Sequence, residues 1–312
     1  MKDLFFFTFT NSRIMRKLYF LIMLLIPWVL NAQIKVEKAY LDESGQVLST
    51  QSFSNDASLL SKQSTNIMQM SGFPKKVPVH PNFKNFRNVT LADLNGDGKQ
   101  EILIPSMNQL RVFTWTGELL WSKALTGTPI YPPSVAIMDE TGTLGIVQVT
   151  GGVPNNGRVY YLDVNGNDFS GFPMSFSNHW IICAPALADV DADGNREIIV
   201  QTRTSNNLHV IKTDASILWT APLGGTPAVT PSVADIDNDG LMDIVTATSD
   251  GTMHAFSADG SIKNGFPVPG QNYSFSYQSP LLVDFDGNNQ LSIVGSTHGD
   301  APQYYIRNND GT

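Results

Sequence analysis

Between residues 89 and 312 apolar side chains arrive in short bursts such as VTLA (89–92), ILIP (102–105) and IIVQ (198–201). Within and between the bursts, polar and apolar positions alternate with a period of two, and aromatic and β-branched residues are enriched. Asn-Gly and Asp-Gly turns punctuate them. That combination predicts short strands joined by tight turns. No window of 12 or more residues beyond the N-terminal segment carries a 3.6-residue period, so the expected class is all-β.

The bursts recur in register. LADLNGDGKQEILI (91–104) is matched by VAIMDETGTLGIVQ (135–148), LADVDADGNREIIV (187–200), VADIDNDGLMDIVT (233–246) and LVDFDGNNQLSIVG (282–295). Counting from the first loop residue, the units start at Asp93, Ile137, Asp189, Asp235 and Asp284, spaced 44, 52, 46 and 49 residues apart. A proline lies four residues earlier in four of them: Pro133, Pro185, Pro231 and Pro280. Each unit continues into a strand phrase with a polar turn. Then comes either Gly-Phe-Pro (72–74, 171–173, 265–267) or Leu-Trp (120–121, 218–219). The alternation suggests a true period of two units, about 96 residues. A repeat of this length with several short strands predicts a β-propeller of four-stranded blades. Solenoid coils are usually shorter and sandwich repeats usually longer. Five blades are visible in 71–312, and the expectation is that they belong to a larger ring of about seven, cut short at Thr312.

The loop opening each unit carries the candidate chemistry. Side-chain oxygens at positions 1, 3 and 5 come from Asp93, Asn95 and Asp97; from Asp189, Asp191 and Asp193; and from Asp235, Asp237 and Asp239. Position 6 is Gly98, Gly194 or Gly240, free to turn left-handed. Position 7 varies (Lys99, Asn195, Leu241), as expected where only a carbonyl is used. Position 9 is Glu101, Glu197 or Asp243. Six to eight hard oxygens at about 2.3–2.6 Å suit Ca²⁺. An EF-hand would need a bidentate Glu at position 12, where Ile104 stands, and flanking helices. Asp and Asn are also ordinary turn residues. Three copies in register with the ninth-position acid favour calcium. Two carboxylates about 4 Å apart repel by about 4 kcal/mol at an effective dielectric of about 20, so a cation should tighten each loop. The second loop, with Ile137, Thr141 and Gly145 at positions 1, 5 and 9, has lost three ligands and is expected to bind nothing. The fifth keeps Asp284, Asp286 and Asn288 but has Asn289 at 6 and Ser292 at 9, which predicts a weaker fourth site.

Composition sharpens this picture only slightly. The chain of 312 residues is 42% hydrophobic and 15% charged, with 25 Gly and 18 Pro, consistent with many turns. A net charge of −8 argues against nucleic acid as partner. Cys183 is alone, excluding an intrachain disulfide, and its apolar surroundings suggest a buried structural thiol. Met15-Arg16-Lys17 precedes the apolar run Leu18–Leu30 and the small residue Ala32, the pattern of a secretory signal peptide over 1–32 with Met15 as the expected start. The run is too short, and interrupted by Pro27, for a membrane anchor. Residues 33–70 read as a linker or propeptide, with a short strand at 35–41.

These units resemble FG-GAP/VCBS-type repeats, the blades of integrin α-subunit-like propellers found in many secreted bacterial proteins. The carrier is DxDxDGxx[DE] in register with the strand phrases. The literal Phe-Gly is missing, although Ala184-Pro185 and Ser279-Pro280 stand where the family's Ala-Pro falls. The resemblance implies a calcium-clamped propeller, often a surface or adhesion module. It also implies a C-terminal sorting domain for type IX secretion, beyond Thr312. No catalytic motif such as GxSxG, HExxH or a phosphate loop occurs. His80, His179, His209, His254 and His298 form no metal-binding spacing, and His209 and His254 share one repeat position. Trp121 and Trp219 recur in register, which suggests packing. With Trp115 and Trp180 they are also candidates for a sugar-binding face. Three functions stay open: a non-enzymatic secreted binding module for an extracellular protein or glycan; a polysaccharide-active enzyme of the rhamnogalacturonan-lyase type; or a scaffold domain of a larger protein.

Overall fold

The computed structural model describes residues 34–41, 47–54, 73, 75–78, 89–151, 156–269, 278–297 and 302–312. The signal segment, His80 and His298 lie outside them. The chain divides into two units, Met1–Gln69 and Met70–Thr312. In the first, β1 (Ile34–Leu41) pairs antiparallel with β2 (Val47–Ser54), from Ile34↔Ser54 to Leu41↔Val47. The strand expected at 35–41 is therefore present. Its partner was hidden by a Ser- and Gln-rich composition that reads as linker. Among the described residues no helix is long and apolar enough to cross a membrane.

Among the described residues, the second unit contains five antiparallel sheets, each a meander in chain order. Blade 1 comprises β3 (Thr90–Ala92), β4 (Glu101–Ser106), β5 (Gln109–Phe113) and β6 (Leu119–Ala124). Blade 2 comprises β7 (Ser134–Ile137), β8 (Leu144–Thr150), β9 (Asn156–Leu162) and β10 (Met174–Ser177). Blade 3 comprises β11 (Ile181–Ala188), β12 (Glu197–Thr202), β13 (Asn207–Ile211) and β14 (Ile217–Pro222). Blade 4 has β15 (Ser232–Ala234), β16 (Asp243–Ala247) and β17 (Met253–Phe256), and its fourth position is marked by the bridges Phe256↔Ile262 and Met253↔Val268. Blade 5 has β18 (Leu281–Val283), β19 (Ser292–Ser296) and β20 (Tyr304–Arg307).

The sheets stack face to face, with their first strands side by side in sequence order. Four apolar cores fill the spaces between them. Alternate residues of each second strand serve different cores. Ile198 and Val200 join the core shared with blade 2, while Ile199 joins the core shared with blade 4. In the same way Ile244 faces blade 3, and Val245 and Ala247 face blade 5. A strand buried on both faces needs apolar residues throughout, which explains bursts such as EIIV. This radial stack is a β-propeller, the architecture that the repeat predicted.

Two kinds of contact recur between neighbouring blades. Thr90 Oγ1 donates to Pro133 O (2.5 Å), Ser134 Oγ to Pro185 O (2.6 Å) and Ser232 Oγ to Pro280 O (2.5 Å). At these three junctions the repeating proline supplies a carbonyl to a hydroxyl on the preceding blade; between blades 3 and 4, where Ala186 replaces that hydroxyl, the Ala184 N–H donates to Thr230 Oγ1 instead (3.1 Å). The outer contact alternates. Trp121 Nε1 donates to Val164 O (3.0 Å) and Trp219 Nε1 to Ala258 O (2.8 Å), each ring lying on a turn glycine of the next blade, Gly166 or Gly260. From blades 2 and 4 it is Gly171 and Gly265, of Gly-Phe-Pro, that approach the following turns at Ala215 and Asp310. The two-unit period therefore has a physical basis. These tryptophans pack between blades, as expected.

Candidate metal centre

The first hairpin of each blade carries the acidic loop. In four blades the last pair before it joins position 0 to position 9: Ala92↔Glu101, Ala188↔Glu197, Ala234↔Asp243 and Val283↔Ser292. The loops therefore share one register. In each, the position 1 carboxylate caps the turn. Asp93 accepts from Gly96 N (2.7 Å), Asp97 N (3.2 Å) and Gly98 N (2.8 Å). Asp189 accepts from Asp193 N and Gly194 N (both 3.1 Å), and Asp235 from Asp239 N (3.0 Å) and Gly240 N (2.8 Å). Asp284 takes Gly287 N (2.8 Å) and Asn289 N (3.0 Å). The position 5 side chains, Asp97, Asp193, Asp239 and Asn288, accept the N–H two residues on, and Asn95 at position 3 accepts from Asp97 N.

The ninth-position acids form the floor. Glu101, Glu197 and Asp243 are only 2%, 1% and 1% exposed. Each spends one oxygen on the position 2 N–H, from Leu94 (2.9 Å), Val190 (2.7 Å) and Ile236 (3.1 Å). At position 3, Asp191 Oδ1 and Asp237 Oδ1 are buried without a hydrogen-bond partner. Asp189, Asp191 and Glu197 bring one oxygen each within 4.8 Å of one another, as do Asp235, Asp237 and Asp239. The charges are felt strongly. Burial pushes Glu197 up to about 7 despite the Val190 N–H, and Asp191 and Asp193 add to the rise. The Gly98 N–H foremost holds Asp93 below its ordinary value, and the Asn289 N–H does so for Asp284.

Blade 2 departs from this plan. Pairing continues to Ile137↔Leu144, and Asp139 Oδ1 accepts from Thr141 N and Thr143 N (both 3.0 Å), so the loop zips into a tight Asx turn. Ile137 is 55% exposed at position 1. Position 4, which sequence reasoning overlooked, is left-handed like position 6. Gly96, Ala192, Asn238 and Gly287 have φ of 76°, 58°, 63° and 74°. The signal was present as small or amide residues, but Ala192 obscured it.

The other candidates fall elsewhere. His209 is buried between Thr202 Oγ1 (3.1 Å) and Thr220 Oγ1 (3.0 Å), and His254, also buried, stacks on Phe256. Both occupy the strand roles expected of them. Cys183 is buried, at φ 74° inside an irregular stretch of β11. Trp115 sits on the β5–β6 turn at the loop-bearing end, beneath Lys99 (5.4 Å). Trp180 precedes β11 at the opposite end, so a sugar face shared by these two does not form. A cleft of about 540 Å³ opens at the loop-bearing end, where Ile137, Leu187, Val233 and Met242 meet Asp139, Glu140, Asp189 and Arg196.

Residues 189–246, spanning the loops of blades 3 and 4, match the family model of the FG-GAP-like repeat. This stretch is similar to the FG-GAP-like repeat. No curated protein matches the chain in sequence. Among solved structures, the chain is similar to BBS1N in complex with ARL6DN (17% identity, 69% of this chain and 63% of that one, TM-score 0.44). It is also similar to BamB from Moraxella catarrhalis (17%, 67% and 54%, TM-score 0.45) and to the PilY1 C-terminal domain of Pseudomonas aeruginosa (12%, 69% and 59%, TM-score 0.49). The chain spans less than two thirds of the length of each of these three. The matched stretch covers two of the three loops that keep a ninth-position acid, and the same register is found in blade 1.

Proposed function

We propose that the protein is an exported, non-enzymatic binding propeller whose blade loops are clamped by Ca²⁺. The proposed ligands are Asp93, Asn95, Asp97, Lys99 (carbonyl) and Glu101 in blade 1, and Asp189, Asp191, Asp193, Asn195 (carbonyl) and Glu197 in blade 3. In blade 4 they are Asp235, Asp237, Asp239, Leu241 (carbonyl) and Asp243, with a weaker site at Asp284, Asp286 and Asn288. The observation that carries this reading is the pair of buried, unpartnered oxygens, Asp191 Oδ1 and Asp237 Oδ1, inside clusters of carboxylates. Buried anionic oxygens call for a cation, and an all-oxygen set suits a hard one. A divalent cation beside Glu197 would favour its charged form. Its role would be structural, because the ligands lie in hairpins that join strands of one blade. The export reading draws on residues 15–33 alone.

The partner, an extracellular protein or glycan, would meet the loop-bearing end, where exposed Ile137 and Met242 stand beside charged residues. Equilibrium dialysis at saturating calcium should find three ions in the loops of blades 1, 3 and 4, beside the weaker site of blade 5. Replacing Asp189→Ala together with Asp193→Ala should remove one. A count unchanged by that double replacement would refute the ligand assignment. Incubation with pectic and other acidic glycans should leave them uncleaved, and any new unsaturated product would make the protein an enzyme.

A further inference from the structure

The blade 4 loop differs from its counterparts in one long-range respect, and the inference drawn from it rests on the calcium reading above. In blades 1 to 4 the last residue of the third strand pairs with a residue just past the following turn: Phe113↔Leu119, Leu162↔Asp168, Ile211↔Ile217 and Phe256↔Ile262. The following residue is apolar in three blades, namely Leu120, Phe169 and Leu218, and is Lys263 in blade 4. Phe169 stacks on Tyr161 (centroids 4.1 Å apart), and Leu218 packs on the core between blades 3 and 4. The backbone of Lys263 keeps the same station. Its N–H donates to Ala255 O (2.9 Å), as that of Phe169 does to Tyr161 O (2.9 Å).

The side chain of Lys263 is 8% exposed, and its ammonium lies inside the acidic loop. Nζ is 2.7 Å from Asp237 Oδ2 and 2.7 Å from Asp243 Oδ1, at positions 3 and 9. The other oxygen of Asp243 already accepts the Ile236 N–H, so both are engaged. A buried ammonium is costly unless paired, so a lysine at this apolar station is held by those two carboxylates. Blade 3 has a looser version. Lys212 Nζ, 27% exposed, reaches Asp191 Oδ2 (2.5 Å) and Asp193 Oδ2 (2.7 Å) and leaves Glu197 without a lysine. In blade 1 no basic side chain among the described residues pairs with the loop acids, and Lys99 lies over Trp115 instead.

We propose that Lys263 is a tethered counter-cation of the blade 4 loop, competing with a divalent ion for Asp237 and Asp243. Among the three loops with a ninth-position acid, blade 1 thereby binds tightest and blade 4 weakest; the blade 5 loop, with Ser292 at that position, stands outside this ranking. A divalent ion can use the full blade 4 set only when the ammonium swings out. The lysine therefore sets the calcium concentration at which the blade 4 loop fills.

Calcium titration calorimetry on the full chain tests this. Lys263→Met should tighten the blade 4 step, the weakest of the three from loops with a ninth-position acid, by roughly tenfold or more, because a competing positive charge is removed. Lys263→Arg, which keeps the charge, should leave that step weak. In the parent protein, Asp97→Asn should abolish the tightest of the three steps and Asp239→Asn the weakest of them, a comparison that holds whether or not the Met variant folds. An unchanged blade 4 step in Lys263→Met, an equal tightening by Lys263→Arg, or loss of the tightest step in Asp239→Asn would overturn the proposal. Absence of calcium binding in the parent and in every variant would instead overturn the calcium reading on which it rests.

Discussion

At the scale of single residues, the loops combine a backbone that must turn left-handed with carboxylates that must be held close together. Gly240 has φ +90° and open space where a Cβ would go, so Gly240→Ala tests the backbone contribution alone. We expect a net loss of about 1 kcal/mol, the left-handed penalty less the gain from a stiffer unfolded chain, measured by denaturant unfolding. An unaltered midpoint would show that the turn relaxes. His209 makes a separate prediction. Burial foremost, with His179 adding to it, lowers its pKa from 6.5 to about 4. The unfolded chain therefore binds a proton in a window where the folded one does not. Stability from this residue is fully present above about pH 6.5 and is lost as pH falls towards 4, at up to about 1.4 kcal/mol per pH unit. His209→Gln should flatten the unfolding free energy across that window, and an identical pH profile would contradict the assignment.

At the scale of elements, the blades are joined by pairs of contacts that alternate along the chain. Gly260 shares the left-handed φ of Gly240, +83°, but a Cβ there would meet Trp219 at 2.7 Å. Gly260→Ala should therefore cost about 2–4 kcal/mol, more than Gly240→Ala, because a rigid ring must move as well. Equal losses in the two variants would mean that the tryptophan gives way freely. Much of this level was legible in the sequence. The two-unit period, the position of each acidic loop and the strand bursts all follow from local patterns of period two and from turn residues. What was hidden depends on residues far apart in the chain. The partner of Thr90 is Pro133, and the ammonium in the blade 4 loop comes from a residue 20 positions after Asp243. The proline recurs along the chain, but its recurrence does not name the hydroxyl it meets, and Lys263 has no counterpart in the other units to mark it. The left-handed position 4 was missed for a different reason, since Ala192 is an unexpected residue to find at φ 58°.

At the scale of the whole molecule, the sheets of blades 2, 3 and 4 each share both faces with their neighbours, and the cores among the described residues lie between sheets. A hairpin loop that loosens at one blade therefore affects the strands that line two cores. Calcium in the loops would act on the stack through this route, drawing each first strand and second strand together at the closing pair. At ten times Kd each occupied site would add about 1.4 kcal/mol. Blade 2, which closes its loop with an Asx turn, should contribute nothing to that dependence. The most direct test is the thermal midpoint of the purified protein with millimolar calcium and then with excess chelator. The account predicts a clear fall on chelation, restored by adding calcium back and reduced in the Asp189→Ala, Asp193→Ala protein. A midpoint that stays the same in excess chelator would contradict it.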